Sequence, residues 1–187
     1  MSKAFLPLLR ASVGRIVNMI SFCTDCPLPM LSGYTASKAA LRSYSNGMRM
    51  EIRKFDVNLI LFNPGDHPGQ TPLCANQDVN FAKMEPEIRA IPDNEIFIGY
   101  FRRSRRYFSK LFKGPESPTK TLEDQGLYLT FNELVRVIDP EAEYVNSTLG
   151  MRLYFWMLSC LPTQWADLKR IELMRLPGLE EEYPSID

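Results

Sequence analysis

The sequence has little of several features that would define other classes of protein. Lys plus Arg and Asp plus Glu both number 22 in 187 residues, so no excess of positive charge indicates a nucleic-acid-binding protein. His67 is the only histidine, and Cys23 and Cys26 form the single C-x-x-C pair. We therefore expect reduced thiols and no metal site. The apolar run from Met151 to Leu161 has eleven residues and one charge, which is too short to span a bilayer.

Glycine is present but is not clustered. The ten glycines are scattered along the chain, and no G-x-G-x-x-G turn occurs. Many dinucleotide-binding folds place such a turn between a strand and a helix, because the helix amino terminus then faces the pyrophosphate. We therefore expect any dinucleotide site in this chain to be incomplete.

Ser21, Tyr34 and Lys38 form the most informative pattern in the chain. Tyr34 and Lys38 are four residues apart in a predicted helix, so both side chains project from one helix face. The ammonium can stabilise a phenolate there, which makes Tyr34 a candidate acid/base. Ser21 ends an apolar, β-branched run that begins at Arg15 and is typical of a buried strand. A substrate oxygen could lie between Ser21 and Tyr34; the alternative is an exposed tyrosine beside a solvated lysine.

This pattern resembles the S-x12-Y-x3-K signature of the short-chain dehydrogenases/reductases. Asn63-Pro64-Gly65 follows the next apolar strand, where that family has a Pro-Gly turn, and Thr71 comes seven positions after Pro64. The aromatic-rich tail from Met151 to Ile171 is similar to that of one subgroup of the family. The subgroup contains D-3-hydroxybutyrate dehydrogenase and enzymes that act on retinol and on 17-hydroxysteroids.

The resemblance implies hydride transfer between a nicotinamide cofactor and a secondary alcohol or ketone, such as hydroxybutyrate, a steroid or a retinoid. Tyr34 would exchange the alcohol proton, Ser21 would orient the substrate oxygen, and Lys38 would bind the nicotinamide ribose. The implied cofactor-binding residues are Tyr34, Lys38, Pro64, Gly65 and Thr71. The cofactor is NAD or NADP, because the residue that distinguishes them follows the family's second strand, which has no counterpart here.

The same resemblance indicates a chain that corresponds to the carboxyl-terminal half of a dehydrogenase. The family's Asn-Asn-Ala-Gly segment and its catalytic asparagine have no counterpart, and Met1 to Leu9 matches the end of the helix before the fifth strand. We therefore expect a truncated gene product, a short isoform or a decayed copy. The strand from Arg15 to Ser21 would have an unpaired edge, which favours aggregation or pairing with a partner.

The alternation of predicted elements indicates an α/β fold, namely a partial Rossmann-type, doubly wound parallel sheet that lacks its first strands. The predicted strands are residues 15–21, 57–62 and 144–147. The predicted helices are residues 1–9, 32–55, 95–112, 129–138 and 151–161, followed by an amphipathic segment over 165–176. We expect one dehydrogenase domain over residues 1–150 and an aromatic-rich helical tail over 151–187.

Two further segments allow more than one interpretation. Residues 66–92 are rich in proline and polar residues, which predicts a loop that covers the substrate. The stretch Arg102-Arg103-Ser104-Arg105-Arg106 is interpreted as a solvated helix face, with an anionic-lipid patch as the alternative. The aromatic tail caps the substrate pocket, lies in a subunit interface or lies at a membrane surface.

We expect a small-molecule alcohol or ketone substrate, no nucleic-acid partner and a homo-oligomer in the full-length form. The expected location is intracellular, with association to a mitochondrial or endoplasmic reticulum membrane left open. The rival hypothesis is a non-catalytic binding or interaction protein that keeps the Ser-Tyr-Lys pattern without the glycine-rich turn.

Overall fold

The computed structural model describes residues 2–65, 72–92, 94–112 and 125–173. Within these ranges the elements are α1 (Ser2–Ala11), β1 (Arg15–Met19), a 3-10 turn (Phe22–Thr24), α2 (Ser32–Ile52), a second 3-10 turn (Arg53–Phe55), β2 (Asn58–Asn63), α3 (Pro72–Arg89), α4 (Glu95–Phe112), α5 (Gln125–Arg136), β3 (Glu143–Val145), α6 (Leu149–Cys160) and α7 (Thr163–Leu173). The chain forms two compact units. The first contains Met1–Gly65 and Asp124–Leu161, and the second contains Asp66–Glu123 and Pro162–Asp187.

The first unit is built on a parallel sheet of the three described strands, in the order β1-β2-β3. β1 pairs with β2 from Arg15 opposite Asn58 to Met19 opposite Phe62, and Asn63 is opposite Val145 on β3. Because the strands are parallel, their carboxyl ends meet at the same edge of the sheet. The predicted α/β class, with a partial Rossmann-type sheet, is confirmed.

β2 is the centre of the core because both of its faces are covered. Its side chains from Leu59 to Asn63 are buried, as expected for a strand with neighbours on both sides and layers above and below. On one face Leu59 packs with Met48 and Ile52 of α2. On the other face Ile60 and Phe62 pack with Leu134 of α5 and Tyr144 of β3. Helices therefore cover both faces of the sheet.

The second unit contains a pair of helices, α3 and α4. Phe81 of α3 and Phe101 of α4 are each 2% exposed, and their rings meet edge to face with centroids 5.9 Å apart. Such a pair adds to the stabilisation that the buried apolar area supplies. The predicted helix over residues 95–112 is confirmed at both of its ends.

The predicted loop over residues 66–92 is wrong for its described part, because Pro72–Arg89 is helical. Pro72 is the first helical residue, where a missing N–H costs no hydrogen bond, and Pro86 lies in the last turn of α3. The first strand is two residues shorter than predicted, and α2 ends at Ile52 with a 3-10 turn in place of its last predicted residues. The division at residue 150 stays a prediction.

Candidate active site

The segments that follow β1, β2 and β3 lie at one edge of the first unit. The amide of Ile20 donates to the Phe62 carbonyl over 2.9 Å, and the amide of Asn146 donates to the Asn63 carbonyl over 2.9 Å. These bonds continue the parallel pairing beyond the ends of β1 and β3. Ser21, Pro64 and Asn146 therefore leave the sheet at corresponding positions, where open α/β folds bind their ligands.

Ser21 begins the 3-10 turn that follows β1. Its Oγ accepts a hydrogen bond from the Cys23 amide over 3.3 Å, which satisfies a donor at the start of the turn. A serine hydroxyl has one O–H donor besides its acceptor lone pairs. Ser21 can therefore cap this turn and still donate its own hydrogen to another oxygen. The helix α2, which carries Tyr34 and Lys38, packs against the same turn.

Lys38 connects α2 to the carboxyl end of β1. Its Nζ donates to the backbone carbonyl of Met19 over 2.9 Å, two residues before Ser21. The same Nζ lies 5.8 Å from the centroid of the Tyr34 ring, within the range of a cation–π contact. An ammonium has three donors, so the bond to Met19 leaves two for other acceptors.

A buried hydrogen bond fixes α2 beside β1. Asn18 Nδ2 donates to Ser45 Oγ over 2.8 Å, and Ser45 Oγ donates to the Leu41 carbonyl over 2.7 Å. Ser45 is 0% exposed, so loss of the Asn18 amide would leave the buried Ser45 oxygen without a donor. The bond sets the position of α2 relative to β1, and with it the position of Lys38.

The turn after β2 requires glycine at position 65. Gly65 has φ +90°, and a Cβ at this position would lie 2.6 Å from the backbone oxygen of Asn146. Asn63 Oδ1 accepts from the Gly65 amide over 3.2 Å, while Asn146 Nδ2 donates to the Pro64 carbonyl over 2.9 Å. The Pro-Gly turn is thus held from both sides, and the absence of a side chain at Gly65 lets the Asn146 backbone approach closely.

Sequence reasoning missed Asn146 and Arg42. Asn146 contacts a turn that is 82 residues earlier in the chain, and no local pattern marks such a pairing. Arg42 of α2 binds Asp25 over 3.1 Å and Glu143 over 2.7 Å. The guanidinium therefore links the segment after β1, the helix α2 and the start of β3. In the sequence, the position of Arg42 four residues after Lys38 indicates only that both side chains lie on the same face of α2.

An aromatic pair lies beside Ser21. Phe22, the next residue, stacks on Phe155 of α6 with centroids 5.2 Å apart and an interplanar angle of 30°. Trp156 and Leu153 on the same helix are 66% and 54% exposed. One side of α6 therefore contributes apolar surface next to the serine, while another side presents apolar residues at the surface.

Several groups at this edge could contact a bound cofactor. Among the described residues, Thr24 Oγ1 and Ser147 Oγ are buried without a hydrogen-bond partner, and they follow β1 and β3. Buried hydroxyls normally have partners, so these two atoms fit the polar part of a ligand. These features are compatible with a nicotinamide nucleotide.

The structure describes all of the predicted site residues except Thr71. Ser21 follows the carboxyl end of β1, and α2, which carries Tyr34 and Lys38, packs against the turn that Ser21 begins. Pro64 and Gly65 lie at the same edge of the sheet. Position 71 is outside the described residues, so the role given to its threonine stays a prediction. The described ranges contain no group of three or more His, Cys, Asp or Glu side chains that could hold a metal ion. None of the described helices has the length and hydropathy needed to cross a bilayer.

The chain is similar to several known dehydrogenases and reductases. Mouse estradiol 17-beta-dehydrogenase 2 is 45% identical over 87 residues, which are 46% of this chain and 22% of the relative. Mouse retinol dehydrogenase 16 is 25% identical over 168 residues, which are 88% of this chain and 50% of the relative. The 3-ketodihydrosphingosine reductase of Bacteroides thetaiotaomicron is 37% identical over 111 residues, covering 59% of this chain and 38% of the relative.

The chain thus spans half or less of the length of each of these relatives. The short chain dehydrogenase family model matches residues 1–78. This segment contains β1, α2 and β2 with the Ser21, Tyr34 and Lys38 pattern. Over that segment the chain is similar to the short-chain dehydrogenase family.

Proposed function

We propose that this chain supplies the catalytic part of an NAD(P)-dependent oxidoreductase that interconverts a secondary alcohol and a ketone. The position of Lys38 is the observation that carries the proposal. Its ammonium is bound to the Met19 carbonyl at 2.9 Å and lies 5.8 Å from the Tyr34 ring. A positive charge held next to a tyrosine is an arrangement suited to proton exchange with a substrate hydroxyl.

Each of the three residues has a separate role in this proposal. Tyr34 exchanges a proton with the substrate oxygen, and Lys38 holds its ammonium beside the tyrosine ring. Ser21 donates its hydroxyl hydrogen to the substrate oxygen, since its lone pair already accepts from Cys23. The serine therefore orients the oxygen on which Tyr34 acts.

The cofactor contacts would come from the turn and the helix at the sheet edge. The nicotinamide supplies the hydride chemistry when it is bound. Lys38 has donors for ribose hydroxyls, Pro64 and Gly65 lie in the turn after β2 at the same edge of the sheet, and Thr71 follows the turn in sequence. NAD and NADP both fit the residues present.

The substrate proposed is an apolar alcohol or ketone of the steroid or retinoid kind. Two observations support this class: the stacked rings of Phe22 and Phe155 beside Ser21, and relatives named for estradiol and retinol. Apolar ligands are bound mainly by aromatic and aliphatic walls with few polar contacts. The exposed apolar side of α6 supports association with a membrane surface or a second subunit inside the cell.

Replacement of Tyr34 by phenylalanine tests the catalytic role. Tyr34→Phe removes only the hydroxyl, and we expect turnover of a steroid or retinoid alcohol to fall by about a factor of 100 or more, because proton transfer supplies that much. Tyr44→Phe is the matched control, since Tyr44 is on the same helix and is 52% exposed. The measurement is the change in nicotinamide absorbance at 340 nm, about the wavelength that reports the reduced cofactor. Equal activity of the two variants would remove Tyr34 from the mechanism.

Titration calorimetry with NAD and NADP separates this proposal from the rival non-catalytic protein. Saturable binding at micromolar concentrations is expected if the edge of the sheet holds the cofactor. A chain that melts cooperatively but binds neither nucleotide would favour the binding or interaction protein, for which the Ser-Tyr-Lys pattern is inherited and unused.

A further inference from the structure

Four polar side chains share one face of α4 in the second unit. Arg102, Arg105, Arg106 and Ser109 follow the spacing i, i+3, i+4 and i+7, which places them along a single side of the helix. Arg102 and Arg105 are 42% and 29% exposed. Their guanidinium groups are therefore partly withdrawn from water without being inaccessible to a solute.

Glu85 of α3 holds this face in a defined arrangement. Its Oε1 accepts from Arg102 Nε at 2.8 Å and from Arg89 Nη2 at 2.8 Å, and its Oε2 accepts from Arg105 Nη1 at 3.3 Å. Side-chain hydrogen bonds from Arg89 and then Arg102 lower the pKa of Glu85 from 4.5 to about 2. The carboxylate is therefore ionised at neutral pH and orients the surrounding guanidinium groups.

Among the described residues, one cavity in the second unit is lined by more arginines than carboxylates. Glu85, Arg102, Arg105, Arg106 and Ser109 line a solvent-open cavity of about 300 Å³. Three guanidinium groups and one carboxylate give this lining a net charge of +2 at neutral pH. Each guanidinium carries five N–H donors in a planar fork, whereas a carboxylate has only two oxygens to accept them. The described lining of the cavity thus carries more positive than negative charge.

We propose that this cavity binds the phosphate group of a small anionic ligand. Arg106 would bind the phosphate oxygens, Ser109 would donate its hydroxyl hydrogen, and Glu85 would keep Arg102 and Arg105 in position. Paired N–H donors of arginine match the geometry of phosphate oxygens, and such charge-assisted bonds are stronger than neutral ones. The volume fits a single phosphorylated group, and the site is separate from the residues assigned to hydride transfer.

Calorimetric titration of the full chain with pyrophosphate at neutral pH and low salt tests the site. We expect one saturable site whose affinity decreases with added salt, because the contacts are between charges. Arg106→Gln should weaken binding by about tenfold, since a charged hydrogen bond contributes roughly that much. Arg106 is exposed, so the variant should fold as the wild type does, which a thermal melt would verify.

Arg103→Gln is the matched control. Arg103 is exposed on the same helix and is not among the residues that line the cavity, so the variant loses the same charge at a different place. Its affinity for pyrophosphate should decrease much less than that of Arg106→Gln, because Arg103 does not line the cavity and makes no direct bond to a ligand there. Absence of saturable pyrophosphate binding, or an equal loss in both variants, would overturn the proposal.

Vesicle sedimentation distinguishes the two sources of the phosphate group. The probe is phosphatidylcholine vesicles with about one fifth phosphatidic acid, compared with phosphatidylcholine alone. Binding to the acidic vesicles that pyrophosphate displaces and that Arg106→Gln weakens would identify a lipid headgroup. Pyrophosphate binding without vesicle binding would identify a soluble phosphorylated ligand. Vesicle binding that neither pyrophosphate nor Arg106→Gln reduces would count against this cavity.

Discussion

At the scale of single residues, Glu85 shows how strongly a few neighbours can change the state of one group. Three arginines contact its two oxygens, and the first-ranked cause of its low pKa is the hydrogen bond from Arg89. The folded protein therefore binds a proton at Glu85 far more weakly than the unfolded chain does. Such a difference makes stability depend on pH.

The sign of this dependence follows from the lowered pKa. The stabilisation by Glu85 is fully present above 4.5, its ordinary pKa, and is lost as the pH falls towards the folded value of about 2. Glu85→Gln should therefore reduce the loss of stability that the wild type shows over this interval, as measured by urea unfolding at a series of pH values. Glu87→Gln removes one carboxylate from the same helix and is the control. Superimposable pH profiles for Glu85→Gln and the wild type would contradict the assignment.

At the scale of elements, the end of β3 controls the turn after β2. Asn146 donates its amide to Asn63, donates its side chain to Pro64 and places its backbone oxygen where a Cβ of residue 65 would be. The turn is therefore set by a neighbouring strand as well as by its own proline and glycine. Its geometry depends on pairing between distant parts of the chain.

Substitution of Asn146 tests this dependence. Asn146→Asp keeps the size of the side chain but replaces the donating amide by an acceptor that faces the Pro64 carbonyl. We expect a loss of about 1–3 kcal/mol in the free energy of unfolding, because a partly buried carbonyl loses its partner and meets a negative charge. Asn146→Ala should lose less, since it adds no repulsion. Urea denaturation measures both variants, and an aspartate variant as stable as the wild type would show that the side-chain bond is unimportant.

The elements also show what the sequence allows one to predict. β1, α2 and β2 have strong apolar patterns and a nearby motif, and their predicted positions differ from the observed ones by only a few residues. α3 was missed because Pro72 and Pro86 suggested a loop, although a proline is harmless at the first helical position. The contacts of Asn146 and Arg42 join segments that are 82 and 101 residues apart. No local sequence pattern predicts such distant pairs.

At the scale of the whole molecule, the edge of the sheet at β1 is the feature with the broadest consequence. In the part of the chain that is described, β1 pairs with β2 alone, and Met19 at its end is 51% exposed. A strand edge with unpaired backbone groups is a template for pairing with another chain. The expectation of self-association, drawn first from the sequence, therefore stays a prediction of this structure.

Sedimentation velocity over a range of concentrations tests that prediction. The wild-type chain should form larger species as its concentration increases, and Met19→Lys should reduce them, because a lysine at a strand edge opposes pairing. Met50→Lys is the control, since Met50 is 75% exposed on α2 and lies away from the edge. A wild type that stays monomeric at every concentration would contradict this account, as would an equal effect of the two lysines.

The bond from Lys38 to the strand has a consequence for how the site tolerates variation. The acceptor is the main-chain oxygen of Met19, which every amino acid possesses, so the anchor of the ammonium does not depend on the side chain at position 19. A saturation library should accept many residues at position 19 and few at position 38. The ammonium of Lys38 can thus keep its position at this edge while the side chain at position 19 changes.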